Sequence, residues 1–192
     1  MIIEGKEYLK PLFVFALPNE EGGFFDNVDK LFVGLGKVQS AYHLTRTLAL
    51  DRSIDIVVNL GTAGSPLFKK GTVVNCSKFV QRDMDVRGLG YPLYHTPFSD
   101  EETILEYGIT MSGVPQATLG SGDQFATSID EESFHVVDME AYALAHVCKN
   151  EGIPFLCLKY ISDGADDNAA NDWTTEVTRS AIALKNILFN NI

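Results

Sequence analysis

Residues 54–64 read IDIVVNLGTAG, a short β-branched apolar run that ends in small residues. Such a run predicts a buried strand that leads into a tight turn. Comparable apolar runs occur at residues 12–17, 31–35, 72–80 and 155–161. Apolar residues at helical spacing lie at residues 37–50, 139–148 and 177–188. Alternating strands and helices predict an α/β fold, with helices layered around a largely parallel or mixed sheet.

Composition narrows the class of protein. With 192 residues, 45% hydrophobic and 21% charged, the chain is predicted to form one globular domain with a large core, which excludes a disordered or disulfide-stapled chain. The 26 acidic against 15 basic residues give a formal net charge of −11. Because such a surface repels a phosphate backbone, nucleic acid is not an expected partner.

The cysteines and the apolar runs bear on the compartment. Cys76, Cys148 and Cys157 form neither an even-numbered framework nor a C-x-x-C pair, which favours reduced thiols. The first apolar run lies between Pro11 and Pro18 and is too short for an export signal, and no run approaches the roughly 20 apolar residues of a membrane helix. We therefore expect a cytoplasmic protein that does not bind membranes.

Several familiar motifs are incomplete. Residues 34–37, GLGK, lack the third glycine of a dinucleotide loop, and Val38 follows where a phosphate-binding loop needs Ser or Thr. The four histidines are scattered without a second ligand at metal-binding spacing, so no metal site is expected. Ser121 lacks the G-x-S-x-G frame of a hydrolase nucleophile.

Four segments at predicted strand ends or helix starts carry usable chemistry. They are VNLGTAG at 58–64, GSGDQF at 120–125, VDMEA at 137–141 and KYISDGAD at 159–166. Their backbone N–H groups, the Thr62 hydroxyl, the Phe125 ring and several carboxylates could meet a ligand. Taken alone, VNLGTAG is better explained as a tight turn, GSGDQF equally well as a turn, and the acids of VDMEA as partners of a helix dipole, while the aspartate that ends the fourth strand could simply be a cap. Residues 88–99 and 162–172 are predicted to be loops, which in such sheets commonly form the binding crevice.

Taken together, these segments resemble the nucleoside phosphorylase and nucleosidase superfamily, most closely the bacterial 5'-methylthioadenosine/S-adenosylhomocysteine nucleosidases. The resemblance runs from about Phe13 to Trp173, and its strongest part is DMEAYALAHVC at 138–148 followed by IPFLCLKYISD at 153–163. It implies one three-layer α/β/α domain over residues 1–192, with a central twisted mixed β-sheet. It also implies a homodimer that needs no cofactor and no metal.

The resemblance implies specific roles for the catalytic groups. Asp163 would be the general acid that protonates or hydrogen-bonds N7 of the departing purine, and Ser162 would orient it. Glu20 would activate the attacking water, although Glu21 beside it leaves a one-residue ambiguity. Two carboxyls on opposite sides of a glycosidic bond divide acid and base work in this way.

It also implies the substrate contacts. Glu140 would accept hydrogen bonds from the ribose hydroxyls while Met139 packs under the sugar, and Phe125 would stack on the base. The further binding residues implied are Asp138, Ala126, Thr62, Ala63, Trp173 and Leu35, with Val86 and Leu89 supplied by the partner subunit. Trp173, Leu35, Val86 and Leu89 would surround the 5' substituent. Lys159 stands where the family usually has an arginine.

Hydrolysis is favoured over phosphorolysis by the first loop. Phosphorylases of the superfamily carry arginines there, whereas this chain has Ala16 to Glu20, whose carboxylate would repel a phosphate dianion. The predicted reaction is hydrolysis of a purine nucleoside by water, with 5'-methylthioadenosine or S-adenosylhomocysteine as substrate and adenine as product. A phosphate-dependent purine nucleoside phosphorylase and a non-catalytic nucleoside-binding protein are the alternatives.

Overall fold

A computed structural model of the protein describes residues 1–99, 102–126, 129 and 133–189. Its strands are β1 (Ile2–Ile3), β2 (Lys6–Glu7), β3 (Pro11–Phe15), β4 (Lys30–Phe32), β5 (Ile56–Gly64), β6 (Val73–Gln81), β7 (Ile104–Glu106), β8 (Gln116–Ser121), β9 (Val136–Asp138) and β10 (Phe155–Asp163). Its helices are α1 (Pro18–Glu21), α2 (Lys37–Leu50), α3 (Ala141–Glu151) and α4 (Ala169–Phe189), with a short 3-10 turn at Arg87–Leu89. Strands β1 and β2 form a separate hairpin, and the other eight form one mixed sheet.

Helices cover both faces of the sheet, which confirms the predicted α/β architecture. Residues on alternate positions of β5 point to opposite sides: Val57 packs in the cluster that holds α2 and α3, and Val58 packs in the cluster that holds α4. Because both faces are buried, β5 and β10 are almost continuously apolar and do not alternate with polar residues.

Two element boundaries differ from the sequence-based expectation. Helix α4 begins at Ala169, so part of the predicted loop at 162–172 is helical and the predicted start at Val177 is wrong. The first half of α4 reads AANDWTTE, which lacks the apolar spacing that marks a helix packed on a core. Helix α3 begins at Ala141, because Glu140 has a non-helical backbone and serves as the N-cap.

The sheet closes on itself. The strand order is β10-β6-β8-β9-β5-β3-β4, and β5 also pairs with β10, so five strands form a ring. Strands β5 and β10 run parallel from Val57 and Phe155 onward, whereas β10 and β6 are antiparallel. Strand β9 meets β5 at a single residue pair, Gly64 with Val137.

The ring brings the sequence motifs together. Gly64, at the end of β5, pairs with Val137 of β9 and with Asp163 of β10. Ser121, at the end of β8, pairs with Asp138 of β9. Segments from four distant parts of the chain therefore end at one place.

The sequence predicts reduced cysteines and no membrane-spanning helix, and the structure bears on both expectations. All three cysteines are buried and none forms a disulfide. Among the residues that the structure describes, no helix combines the length and apolar character needed to cross a membrane.

Candidate active site

A cavity of about 210 Å³ opens where these strand ends converge. It is lined by Ala16, Leu17, Glu20, Leu35, Thr62, Ala63, Gly64, Arg82, Gln124, Phe125, Ala126, Val137, Asp138, Met139, Glu140, Ser162, Asp163 and Trp173. All the site residues predicted from the sequence therefore line this one cavity, except Val86 and Leu89. Acidic, aromatic and small apolar groups meet there.

Glu20 is held by hydrogen bonds from two elements. Its Oε2 accepts from the backbone N–H groups of Ala16 and Leu17 at 3.1 and 3.2 Å. Its Oε1 accepts from the backbone N–H and the hydroxyl of Thr62, both at 3.0 Å. The carboxylate therefore bridges the first loop and β5, and it is only 5% exposed.

Glu21 lies elsewhere. Its Oε1 accepts from Lys30 Nζ at 2.8 Å and from the backbone N–H of Phe25 at 2.9 Å. Burial favours the neutral form of Glu21 and is the largest single effect, but the hydrogen bonds from Lys30, Gly23 and Phe25 and the charge of Lys30 together outweigh it, so the pKa of Glu21 is lowered. Of the two adjacent glutamates, Glu20 faces the cavity and Glu21 is engaged in an ion pair.

Asp163 ends β10 and is 4% exposed. The Ser162 hydroxyl donates to its Oδ2 at 2.7 Å, and the backbone N–H of Ala165 donates to its Oδ1 at 2.9 Å. A Cβ on Gly64 would lie 2.5 Å from Oδ1, closer than real Cβ atoms approach any neighbour. Glycine is therefore required at position 64 for the carboxylate to sit where it does.

Asp138 and Glu140 form the acidic edge of α3. Asp138 accepts from Lys159 Nζ at 2.9 Å, from the Ala141 backbone N–H at 3.0 Å and from the Ser121 hydroxyl, so its oxygens are already engaged. Glu140 Oε1 accepts from the backbone N–H of Gly36 at 2.9 Å. The Asp138 carboxylate thereby satisfies the first backbone N–H of α3, while Oε2 of Glu140 has no hydrogen bond from the described residues and can meet a ligand.

The charged groups at the start of α3 shift one another's pKa values. Burial, with the charge of Asp138 next, raises the pKa of Glu140 to about 8 despite the opposing effect of Lys159. Lys159 itself is 2% exposed. Burial alone would lower the pKa of Lys159, but Asp138 and the neighbouring acids outweigh it and raise that pKa.

The remaining cavity wall is apolar and partly open. Phe125 is 50% exposed and Leu35 is 54% exposed, so both rim the opening. Val86 and Leu89 do not line the cavity of their own chain, and Leu89 is 74% exposed. That they line a partner's cavity stays a prediction. Among the described residues, no group of three or more His, Cys, Asp or Glu side chains is placed to hold a metal ion.

The structure adds two basic residues to the site, one in the cavity wall and one behind it, to which the sequence analysis assigned no role. Arg82 lines the cavity and donates from Nη2 to the carbonyl of Gln124, while its Nε is buried with no partner among the described residues. Lys159 lies behind the wall, where it pairs with Asp138. Both carried a signal in the sequence: Arg82 follows an apolar strand at once, and Lys159 is a charge inside one.

Comparison with known proteins gives consistent matches. The family model of the phosphorylase superfamily matches residues 31–189. The 5'-methylthioadenosine/S-adenosylhomocysteine nucleosidase of Actinobacillus succinogenes is 33% identical over 156 residues, which are 71% of this chain and 67% of that protein. The nucleosidase of the same name from Geobacillus thermodenitrificans is 31% identical over 172 residues, 77% of this chain and 72% of the relative.

Solved structures agree in fold. A Helicobacter pylori 5'-methylthioadenosine/S-adenosylhomocysteine nucleosidase in complex with a substituted pyrrolidin-3-ol has a TM-score of 0.81 and 21% identity, covering 95% of this chain and 99% of the other. Futalosine hydrolase of Helicobacter pylori has a TM-score of 0.79 and 22% identity, covering 92% and 94%. At such identities the likeness establishes the architecture alone.

Proposed function

Because this chain belongs to the phosphorylase superfamily and to its branch of 5'-methylthioadenosine/S-adenosylhomocysteine nucleosidases, we propose that it hydrolyses a purine nucleoside of that 5'-thio type and releases adenine. The observation that carries the proposal is the meeting of Glu20, Glu140 and Asp163 in one cavity beside the Phe125 ring. This arrangement supplies an acid, a water activator and a sugar ligand together with a stacking surface.

Asp163 is the proton donor of the proposed reaction. As the bond between C1' of the ribose and N9 of the purine breaks, its electrons move into the base, and a proton passes from the Asp163 carboxyl to N7. The hydroxyl of Ser162 and the N–H of Ala165 keep the Asp163 carboxyl in one orientation. A fixed acid contributes typically 10²- to 10⁴-fold to such a step, that is, about 3 to 5 kcal/mol of barrier.

Glu20 takes the proton of the attacking water, whose oxygen bonds to C1'. We assign this role to Glu20 because Glu20 lines the cavity, whereas Glu21 is paired with Lys30. Glu140 binds the ribose hydroxyls, and its carboxyl, when ionised, places a negative charge that stabilises the cationic sugar of the transition state. Met139 and Phe125 contact sugar and base, and the Ala126 backbone reads the purine edge.

The 5' substituent is proposed to lie between Leu35 and Trp173 of one chain and Val86 and Leu89 of a second copy. Exposed apolar side chains support this homodimer, because Leu35, Val38 and Leu89 are 54%, 75% and 74% exposed. Such residues are commonly covered in an oligomer. In this dimer each cavity is completed by its neighbour.

The test is adenine release from 5'-methylthioadenosine and from adenosine, in phosphate-free buffer and with added phosphate. We expect release without phosphate and faster turnover of the 5'-thio substrate. Release that depends strictly on phosphate would identify a phosphorylase and would point to Arg82 as an anion ligand. Binding of the nucleoside without release under either condition would contradict the proposed reaction.

A further inference from the structure

Trp173, Thr62 and Glu20 form a chain of hydrogen bonds across the cavity wall. The indole Nε1–H of Trp173 donates to Thr62 Oγ1 at 2.8 Å. The hydroxyl of Thr62 lies 3.0 Å from Glu20 Oε1. The three residues come from α4, β5 and α1, and all three line the cavity.

The chemistry of the three groups fixes the direction of this chain. An indole N–H can only donate, and an ionised carboxylate can only accept. A threonine hydroxyl has one proton, so when it accepts from Trp173 its own proton remains to be donated to Glu20. The indole thereby determines where the hydroxyl proton points.

The hydroxyl is the adjustable donor among those on Glu20. The other three described donors are the backbone N–H groups of Ala16, Leu17 and Thr62, which the chain holds in place. A hydroxyl rotates freely about its C–O bond unless a neighbour fixes it. Without Trp173, the hydroxyl could turn away and leave one side of Oε1 unconstrained.

We propose that Trp173 is a positioning residue for Glu20: by holding the Thr62 hydroxyl, its indole N–H keeps the carboxylate in the orientation from which it takes the proton of the attacking water. The inference rests on the proposed function of Glu20. It also joins two parts of the cavity, because Trp173 lines the wall beside the 5' substituent while Glu20 serves the reacting carbon. A side chain assigned to substrate binding therefore acts on the chemical step.

Conservative variants separate the N–H from the ring. Trp173→Phe keeps an aromatic surface and removes the donor, Thr62→Val keeps the branched shape and removes the hydroxyl, and Thr62→Ser keeps the hydroxyl. We expect the first two variants each to lower kcat about tenfold, because Thr62→Val removes the hydrogen bond to the Glu20 carboxylate and Trp173→Phe leaves the hydroxyl that makes it free to turn away. KM should stay within about twofold, and Thr62→Ser, which restores the hydroxyl, should recover most of the kcat that Thr62→Val loses.

A matched control is available on α4. Thr175 is exposed, and its hydroxyl donates to the carbonyl of Asn171 within the helix. Thr175→Val removes the same atoms as Thr62→Val, away from the cavity, and should leave kcat unchanged. Thermal melting of every variant shows whether a lower rate merely follows from unfolding.

The double variant Trp173→Phe/Thr62→Val tests the connection itself. If the indole acts only through the hydroxyl, the double variant should be no slower than Thr62→Val alone, because Thr62→Val already removes the hydrogen bond through which the indole acts. Rate losses that multiply would overturn the inference. So would a Trp173→Phe enzyme whose KM rises while kcat is unchanged, since the ring would then serve only as a pocket wall.

A readout that does not need turnover keeps this inference separate from the proposed function. The protein has one tryptophan, so its indole N–H gives one assignable NMR signal. Thr62→Val and Glu20→Gln should both shift that signal, whereas Thr175→Val should not. A shifted signal in a protein that releases no adenine would reject the reaction and keep the hydrogen-bond chain. An unshifted signal in an active enzyme would do the reverse.

Discussion

At the scale of single residues, the cavity is defined by how each acid is held. Asp163 is fixed by one backbone N–H and the Ser162 hydroxyl, and Glu20 by three backbone N–H groups and the Thr62 hydroxyl. Glu140 has one hydrogen bond from Gly36 and neighbouring charges of both signs. These differences in partners separate groups that the sequence presents only as acidic residues.

Removing either of the proposed catalytic acids is expected to abolish most turnover. We predict that Asp163→Asn and Glu20→Gln each lower kcat/KM by about 100-fold or more, because an amide can neither donate the proton of an acid nor accept one from water. Adenine release from 5'-methylthioadenosine measures the effect. Glu21→Gln is the matched comparison, and a loss there as large as for Glu20→Gln would assign water activation to the wrong residue.

Glu140 makes stability depend on pH. Its pKa is 4.5 in an unperturbed chain and about 8 in the folded protein. Between these two pKa values the folded state holds a proton that the unfolded chain releases. The contribution of Glu140 to the free energy of unfolding is therefore fully present below about pH 4.5 and is lost as the pH rises to about 8. In the wild type the free energy of unfolding should therefore fall by up to about 1.4 kcal/mol per pH unit across this window. We predict that Glu140→Gln abolishes this fall, as measured by urea unfolding between pH 5 and 8.

Lys159 supplies the opposing charge. Lys159→Met should raise the titration midpoint of Glu140 and cost about 3 to 5 kcal/mol, because Asp138 stays buried without its cation. Lys159→Arg should preserve the midpoint. Carboxyl NMR of the folded variants gives the result, and a midpoint unmoved by Lys159→Met would mean that the two charges are not coupled.

At the scale of elements, the sequence predicts strands well where both faces are buried. The runs that became β3, β5, β6 and β10 were recognisable because apolar side chains are needed on both sides of the sheet. The first half of α4 was not recognisable, since Trp173 and its polar neighbours face the cavity and solvent instead of a core. Local periodicity cannot report contacts made with a distant loop.

Two glycines near the C-terminal end of β5 differ in how much room they leave for a side chain. A Cβ at Gly64 would lie 2.5 Å from Asp163 Oδ1, whereas one at Gly61 would lie 3.0 Å from Glu20 Oε1. We predict that Gly64→Ala reduces activity more than Gly61→Ala does, because Asp163 must move further to relieve the contact. Adenine release and melting temperature measured on both variants check the order, and the reverse order would contradict the geometry.

At the scale of the whole molecule, the resemblance in sequence gave the family and the architecture, and the fold confirms the mixed sheet between helices. The resemblance identified the motif residues but did not predict the ring of strands. The pairing of Gly64 with both Val137 and Asp163 depends on the register of strands that are far apart in the sequence. The contacts of Arg82 with Gln124 and of Lys159 with Asp138 likewise join residues that are distant in the sequence, so the sequence marks the two charges without naming their partners.

The proposed dimer predicts a linked loss of assembly and activity. Leu89→Lys should place a charge in the interface, so we expect a monomer by light scattering and a markedly lower activity that recovers at high protein concentration. Leu50→Lys is the matched control, since Leu50 is 79% exposed at the far end of α2. A Leu89→Lys protein that stays dimeric and fully active would argue against a shared cavity.

The ring of strands also sets the order of events during synthesis. Strand β10 pairs with β5, which precedes it by about a hundred residues, so this contact has high sequence separation and forms slowly. On the ribosome, β5 emerges long before its partner and must wait with an unpaired edge. Nascent chains that stop before Phe155 lack both Asp163 and the strand that closes the ring. Ser162, Asp163 and Trp173 are therefore the last residues of the cavity lining to be synthesised.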